Sequence, residues 1–285
     1  MLIEEQFRKC VTYLFVEAPH PETGAIEKRP VGTTFFVDVV DGPAKRAYAV
    51  TARHVIDKSE DFGALFMRLN TADSYVDIEV PQTSWMLHES TDVAVLRLRA
   101  PAGNYDILTI PHTNLLTDEG VGIAKIGIGD EVFFTGLFSE HPGRERVQPI
   151  IRFGNIAMMP HEPIKVDLRV AREIDAYLVE ARSTGGNSGS PAFVIFPAYR
   201  SGNSISVEKQ LPVNMLGLVH GHHDIKQDID LTGDNSGRAQ VPLNAGIASV
   251  VPSQKILDLL MSEELVKERL EARRAIETQV SYRAV

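Results

Sequence analysis

One cysteine, Cys10, stands among 285 residues, so no intramolecular disulfide can form and the disulfide-stapled scaffolds of secreted domains are excluded. No stretch approaches the roughly 20 apolar residues that a membrane helix requires. Met1–Lys9 carries acids where a secretory leader would need a basic start and an apolar core. Positive charge is in deficit as well: the formal net charge is −9, which excludes the broad basic footprint of a general nucleic-acid or anionic-membrane binder. No G-x-x-x-x-G-K-[ST] run occurs, so no phosphate-binding P-loop is present. Internal repeats and low-complexity tracts are absent too. The expectation is a protein of a reducing, cytoplasmic setting without membrane or nucleic-acid partners, with Cys10 a buried small hydrophobe rather than a reactive thiol.

What is present is a globular composition, 44% hydrophobic and 24% charged, long enough to bury a large core. Strand-like runs dominate. Val11–Val16, Thr33–Val40, Arg46–Thr51, Leu65–Leu69, Val76–Val80 and Val93–Leu98 form a first group. A stretch of little periodicity, Pro101–Gly120, reads as a crossover. Ile128–Gly136 reads as a turn feeding the first strand of a second group, which Arg152–Met158, Ala176–Ala181, Ser190–Phe196, Met215–His220 and Asn244–Val250 continue. The polar segment Gly221–Ala239 reads as a loop insertion. After Pro252 and Ser253, apolar residues at Ile256, Leu259, Leu260, Leu265, Val266 and Leu270 recur near helical spacing. A terminal helix is expected there, packed on the second group of strands with a solvated extension. The organisation is therefore all-β, with units at 1–120 and 121–251 and a helix and tail at 252–285.

Three segments carry chemistry. Thr184-Gly185-Gly186-Asn187-Ser188-Gly189-Ser190-Pro191 sets a serine among glycines, a loop that can present a hydroxyl with backbone N–H groups beside it. Acyl transfer needs both a nucleophile and donors aimed at the oxygen that becomes negative. Taken alone the run is also an ordinary polar turn. Tyr48-Ala49-Val50-Thr51-Ala52-Arg53-His54-Val55 places His54 just past an apolar strand. Ser90-Thr91-Asp92-Val93-Ala94-Val95-Leu96 opens another such strand with Asp92. Individually these are a core histidine, a strand-edge acid and a turn serine. In the order His54, Asp92, Ser188 they form a candidate base, orienting carboxylate and nucleophile. Asp57 is a rival carboxylate, read as solvated in the polar turn Asp57-Lys58-Ser59-Glu60.

The segments T-A-R-H-V, S-T-D-V-A-V-L-R-L and G-G-N-S-G-S-P resemble those of chymotrypsin-fold (trypsin-like) serine peptidases of the bacterial branch, and the chain order of the three residues is that family's. The likeness runs from Val31-Gly32-Thr33-Thr34-Phe35 to Gly246-Ile247-Ala248-Ser249-Val250. It implies two antiparallel six-stranded β-barrels with a C-terminal α-helix. It also implies a serine endopeptidase working through an acyl-enzyme on protein or peptide substrates, without cofactor or metal. His54, Asp92 and Ser188 would be catalytic, and the N–H groups of Gly186 and Ser188 would form the oxyanion hole. Arg182, Ser183 and His220 would line the substrate pocket. Two readings of Arg182 stand: it faces an acidic substrate side chain, or it points to solvent or pairs with Glu180. The cluster His220-Gly221-His222-His223-Asp224 reads as pocket wall rather than a metal site. Asn187 stands where digestive relatives have an aspartate paired with a newly cut N-terminus, so activation by such a cut is not implied. Control by a regulatory protein partner is a further expectation. The alternative is a catalytically silent binding module on the same fold.

Overall fold

A computed structural model of the chain describes residues 3–20, 22–42, 44–99, 105–138, 141, 143, 145–166, 173–181, 186–196, 213–231 and 237–283. The strands of the first half are β1 (Val11–Pro19), β2 (Ile26–Asp41), β3 (Ala44–Thr51), β4 (Leu65–Asn70), β5 (Tyr75–Glu79), β6 (Met86–Leu87), β7 (Ala94–Arg97) and β8 (Ile110–Pro111). They pair in the order β5-β4-β1-β2-β3-β7-β6, with β8 added in parallel to β2. The second half holds β9 (Glu131–Gly136), β10 (Ile150–Met158), β11 (Ile164–Lys165), β12 (Glu173–Ile174), β13 (Tyr177–Glu180), β14 (Pro191–Ile195), β15 (Val213–Leu231) and β16 (Gly237–Pro252). Six of these close into a barrel, β10-β13-β16-β15-β14-β9, while β11 and β12 pair separately.

The expected all-β architecture is present, and the second half closes as a six-stranded barrel. The first half differs in detail, since its described pairings make an eight-stranded sheet whose path ends on β5 and β6. Its short members β6 and β8 are two residues each, too short to show a periodicity of 2.

Apolar strands build a core continuous across both halves. β1 is buried along Val11–Val16, and Phe35, Phe36, Tyr48, Phe133 and Phe193 are fully buried. The short helix α1 (Glu5–Lys9) carries Phe7 across to the barrel, where its ring lies edge-on to Phe133 at 5.7 Å and Phe193 at 4.9 Å. Burying such a ring contributes about 1.5–3 kcal/mol. Cys10 is buried as expected, and burial pushes its thiol far above the ordinary range.

Helix α2 (Arg53–Ser59) follows β3 directly, and α3 (Asp118–Ile123) lies in the crossover. Two features depart from expectation. The C-terminal segment forms two helices, α4 (Ser253–Leu260) on the barrel and α5 (Glu263–Arg283), and α5 turns back over the first half. There the buried guanidinium of Arg269 donates to the Tyr48 hydroxyl at 3.1 Å and the Leu260 carbonyl at 2.8 Å, while Glu268 pairs with Arg97. Helical spacing identifies an apolar stripe but not the surface it covers. Gly221–Ala239, expected as a loop, is largely strand: β15 and β16 stay paired to Leu231↔Gly237 as a ribbon beyond the barrel. Of its described side chains, His222 and 224–228 are exposed, in keeping with its polar composition. The exposed Ile225 and Leu243 oppose one another across it.

Candidate active site

Asp92 is the centre of the site. It is 0% exposed and lies two residues before β7, which brings it beside the start of α2. The first amides of a helix have no partner within it. Here the His54 N–H donates to Asp92 Oδ1 at 2.8 Å, and the His54 ring presents Nδ1 to Oδ2 at 2.8 Å. One carboxylate thus holds a histidine by backbone and side chain together. Asp57, the rival acid, is not solvated as expected: its side chain is 13% exposed and lies 3.5 Å from Arg53 Nε one turn back on α2.

A second imidazole shares the carboxylate. His220, on β15, brings Nδ1 to the same Asp92 Oδ2 at 2.5 Å, and its ring meets the His54 ring edge-on with centroids 5.1 Å apart. Burial alone would raise the Asp92 carboxyl, but the hydrogen bonds from His220 and His54 hold it well below the usual carboxylate range. It is therefore ionised at neutral pH and only accepts. Both Nδ1 atoms must then carry protons, which leaves His54 Nε2 with its lone pair in the neutral ring. This is the tautomer a general base requires.

Ser188 comes from the second half, on a turn fixed by β2. The Thr33 N–H donates to the Ser188 carbonyl at 2.8 Å and its hydroxyl to the Gly186 carbonyl at 2.7 Å. Gly189 has φ +87°, and a Cβ there would collide with the Thr33 carbonyl and with Thr51 Oγ1. Only glycine satisfies both the backbone angle and the space. The Gly189 N–H donates to the Val219 carbonyl at 2.8 Å, tying the turn to β15. The Ser188 hydroxyl donates to the carbonyl of His220 at 3.0 Å. A hydroxyl carries one proton, so in this arrangement that proton is engaged by the barrel strand.

Of the expected site residues, His54, Asp92, Ser188 and His220 are therefore gathered into one hydrogen-bonded cluster, and Gly186 lies in the pinned turn with φ +93°. Asn187 is fully buried. Arg182 and Ser183 lie outside the described residues. The expected histidine run does not converge. His220 turns to Asp92, His222 Nε2 lies 3.4 Å from Asp224, and His223 Nε2 lies 2.7 Å from Ser249 Oγ. Sequence reasoning places His220 beside the substrate and gives no sign of its bond to Asp92, because 128 positions separate them.

Among the described residues, ligand atoms of His54, Asp92 and His220 lie within 4.8 Å of one another. Two imidazoles and a carboxylate are a chemically reasonable donor set for zinc. The 2.5 and 2.8 Å spacings, however, are those of hydrogen bonds. Ligands held about 2.0–2.1 Å from a tetrahedral ion stand farther apart than that. A cavity of about 590 Å³ lies elsewhere, bounded by Met67, Trp85, Leu96 and Leu265, and no candidate site residue lines it.

No family model and no curated protein matches the chain. Among solved structures it is similar to the Rv3671c protease of M. tuberculosis in its active form, with 14% identity and a TM-score of 0.44 over 90% of this chain and 81% of that one. It is similar at 15% identity and a TM-score of 0.46 to a serine-to-alanine mutant of Rv3671c in an inactive form, covering 90% and 88%. Likenesses of this size carry nothing about catalysis, and the cluster stands on its own geometry.

Proposed function

We propose that this chain is a serine endopeptidase, with Ser188 as nucleophile, His54 as general base and acid, and Asp92 as the orienting carboxylate. The observation that carries the reading is the grip of buried, ionised Asp92 on both the backbone and Nδ1 of His54, which leaves Nε2 free to accept. For reaction, the Ser188 hydroxyl turns from the His220 carbonyl to Nε2. Oγ attacks the scissile carbonyl carbon while its proton passes to Nε2, and the oxyanion is received by the N–H groups of Gly186 and Ser188. The C–N bond then breaks as Nε2 returns the proton to the amine. A water, deprotonated in the same way, hydrolyses the ester.

Two finer elements complete the proposal. An Arg182 facing the pocket would select acidic side chains. The engaged Ser188 hydroxyl is a resting arrangement on which a regulatory partner could act.

A fluorophosphonate probe tests the central claim. Labelling at Ser188, abolished by Ser188→Ala, is the expected result. A folded protein that neither labels nor hydrolyses any peptide in a diverse mixture would instead be the silent binding module.

A further inference from the structure

His220 touches both ends of the cluster at once, and nothing in the proposed chemistry uses its ring. Its carbonyl holds the Ser188 hydroxyl at 3.0 Å, and its Nδ1 reaches Asp92 at 2.5 Å. Ser188 and His220 belong to the barrel half, while His54 on α2 and Asp92 just before β7 belong to the first half. The two halves meet at the site through this residue and through the bonds from Thr33.

Resting on the triad reading, we propose that His220 is a positioning residue. Its Nδ1–H and ring hold Asp92 and His54 in register with the nucleophile, and it draws off part of the carboxylate charge that His54 would otherwise have to itself. Three donors converge on two carboxylate oxygens: the His54 amide on Oδ1, and two imidazole N–H groups on Oδ2. A shared carboxylate stabilises the His54 imidazolium less than an unshared one would. A single negative charge also lies between two rings whose centroids are 5.1 Å apart. Along β15, His223 lies within reach of the His220 charge, and His222 Nε2 lies 3.4 Å from Asp224. Burial first, and then the neighbouring His220 and His222, lower the His223 ring from its ordinary value.

The test pairs His220→Ala with His220→Asn, whose side-chain amide can place a donor near the Nδ1 position without titrating. Full-length proteins are compared by kcat, KM and the pH profile of kcat/KM on one peptide substrate. His220→Ala should lose about ten- to a hundredfold in kcat, the worth of one hydrogen bond to a charged group. KM should stay within about threefold. The acidic limb of its pH profile should move up, since one ring fewer shares the carboxylate. His220→Asn should recover most of the lost kcat. An effect confined to KM would assign the ring to the substrate pocket and overturn the proposal, as would a wild-type kcat and profile in His220→Ala.

A second readout needs no activity. Proton NMR of Ser188→Ala should show two strongly hydrogen-bonded imidazole N–H signals at neutral pH. One should vanish with His220→Asn and both with Asp92→Asn. A protein that fails to label at Ser188 but keeps this pattern loses the protease reading and retains the shared carboxylate. One that labels at Ser188 but shows a single such signal loses this inference alone.

Discussion

Replacing Asp92 by asparagine exchanges one oxygen for an NH₂ group at constant volume, and the geometry dictates the response of its partners. The carboxylate accepts from the His54 amide on Oδ1 and from the Nδ1 atoms of His54 and His220 on Oδ2. Asparagine offers a single acceptor. If its NH₂ took the Oδ1 place it would face the His54 backbone N–H, a donor that cannot change its role. If it took the Oδ2 place, both rings could answer by moving their protons to Nε2. The second arrangement satisfies every group and is preferred. It protonates His54 Nε2. In the proposed mechanism that nitrogen must accept the serine proton, so hydrolysis should fail without any loss of fold. The expected loss in kcat is about 10⁴-fold, the size an amide-for-carboxylate exchange has in such a triad, or about 5 kcal/mol in the barrier. Steady-state hydrolysis of a peptide substrate and the rate of fluorophosphonate labelling measure it, with Ser188→Ala as the inactive reference and a thermal melt to establish folding. An Asp92→Asn protein within tenfold of wild type at neutral pH would refute the tautomer argument.

The same residue predicts acid behaviour. Burial would raise the Asp92 carboxyl, yet the two histidine hydrogen bonds leave it depressed. Its stabilisation is thus full above the ordinary carboxylate value of about 3.9 and drains away as pH falls below it toward the folded value. Urea titrations should show a stability gap between wild type and Asp92→Asn that narrows as pH falls below about 4; a gap that does not narrow there would contradict the assignment. Gly189→Ala forces a Cβ against the Thr33 carbonyl at φ +87°, and should cost at least about 1–3 kcal/mol by denaturant melt along with most labelling at Ser188. Unchanged stability would show that the turn can shift away from β2. The buried Cys10 thiol, pushed up by its surroundings, should resist iodoacetamide at about pH 8 in the native protein and react once urea unfolds it. Rapid native labelling would mean that α1 opens readily.

Much of the architecture is legible in the chain. The apolar runs at 11–16, 33–40 and 46–51 fall within strands because β-branched and aromatic residues suit a pleated, half-buried surface. The glycines around Ser188 mark a tight turn because few other residues allow positive φ. Short strands such as β6 leave no trace in the pattern, having no period to display. The β15–β16 ribbon looks like a loop in the sequence, since a two-stranded element wet on both faces has no apolar alternation to reveal it.

Sequence alone determined which groups are available: a serine in a glycine turn, a histidine after a buried strand, an acid before another, and a single unpaired cysteine. These are local facts, set by neighbours a few residues apart. Tertiary structure decided how they are shared. Asp92 is claimed by two imidazoles, the Ser188 hydroxyl rests on the His220 carbonyl, and α5 lies over the first half rather than the second. Each of those contacts joins residues more than 30 positions apart. Local pattern shows that a side chain is polar and where it emerges, but its partner is chosen by the packing of two sheets, which no local pattern encodes.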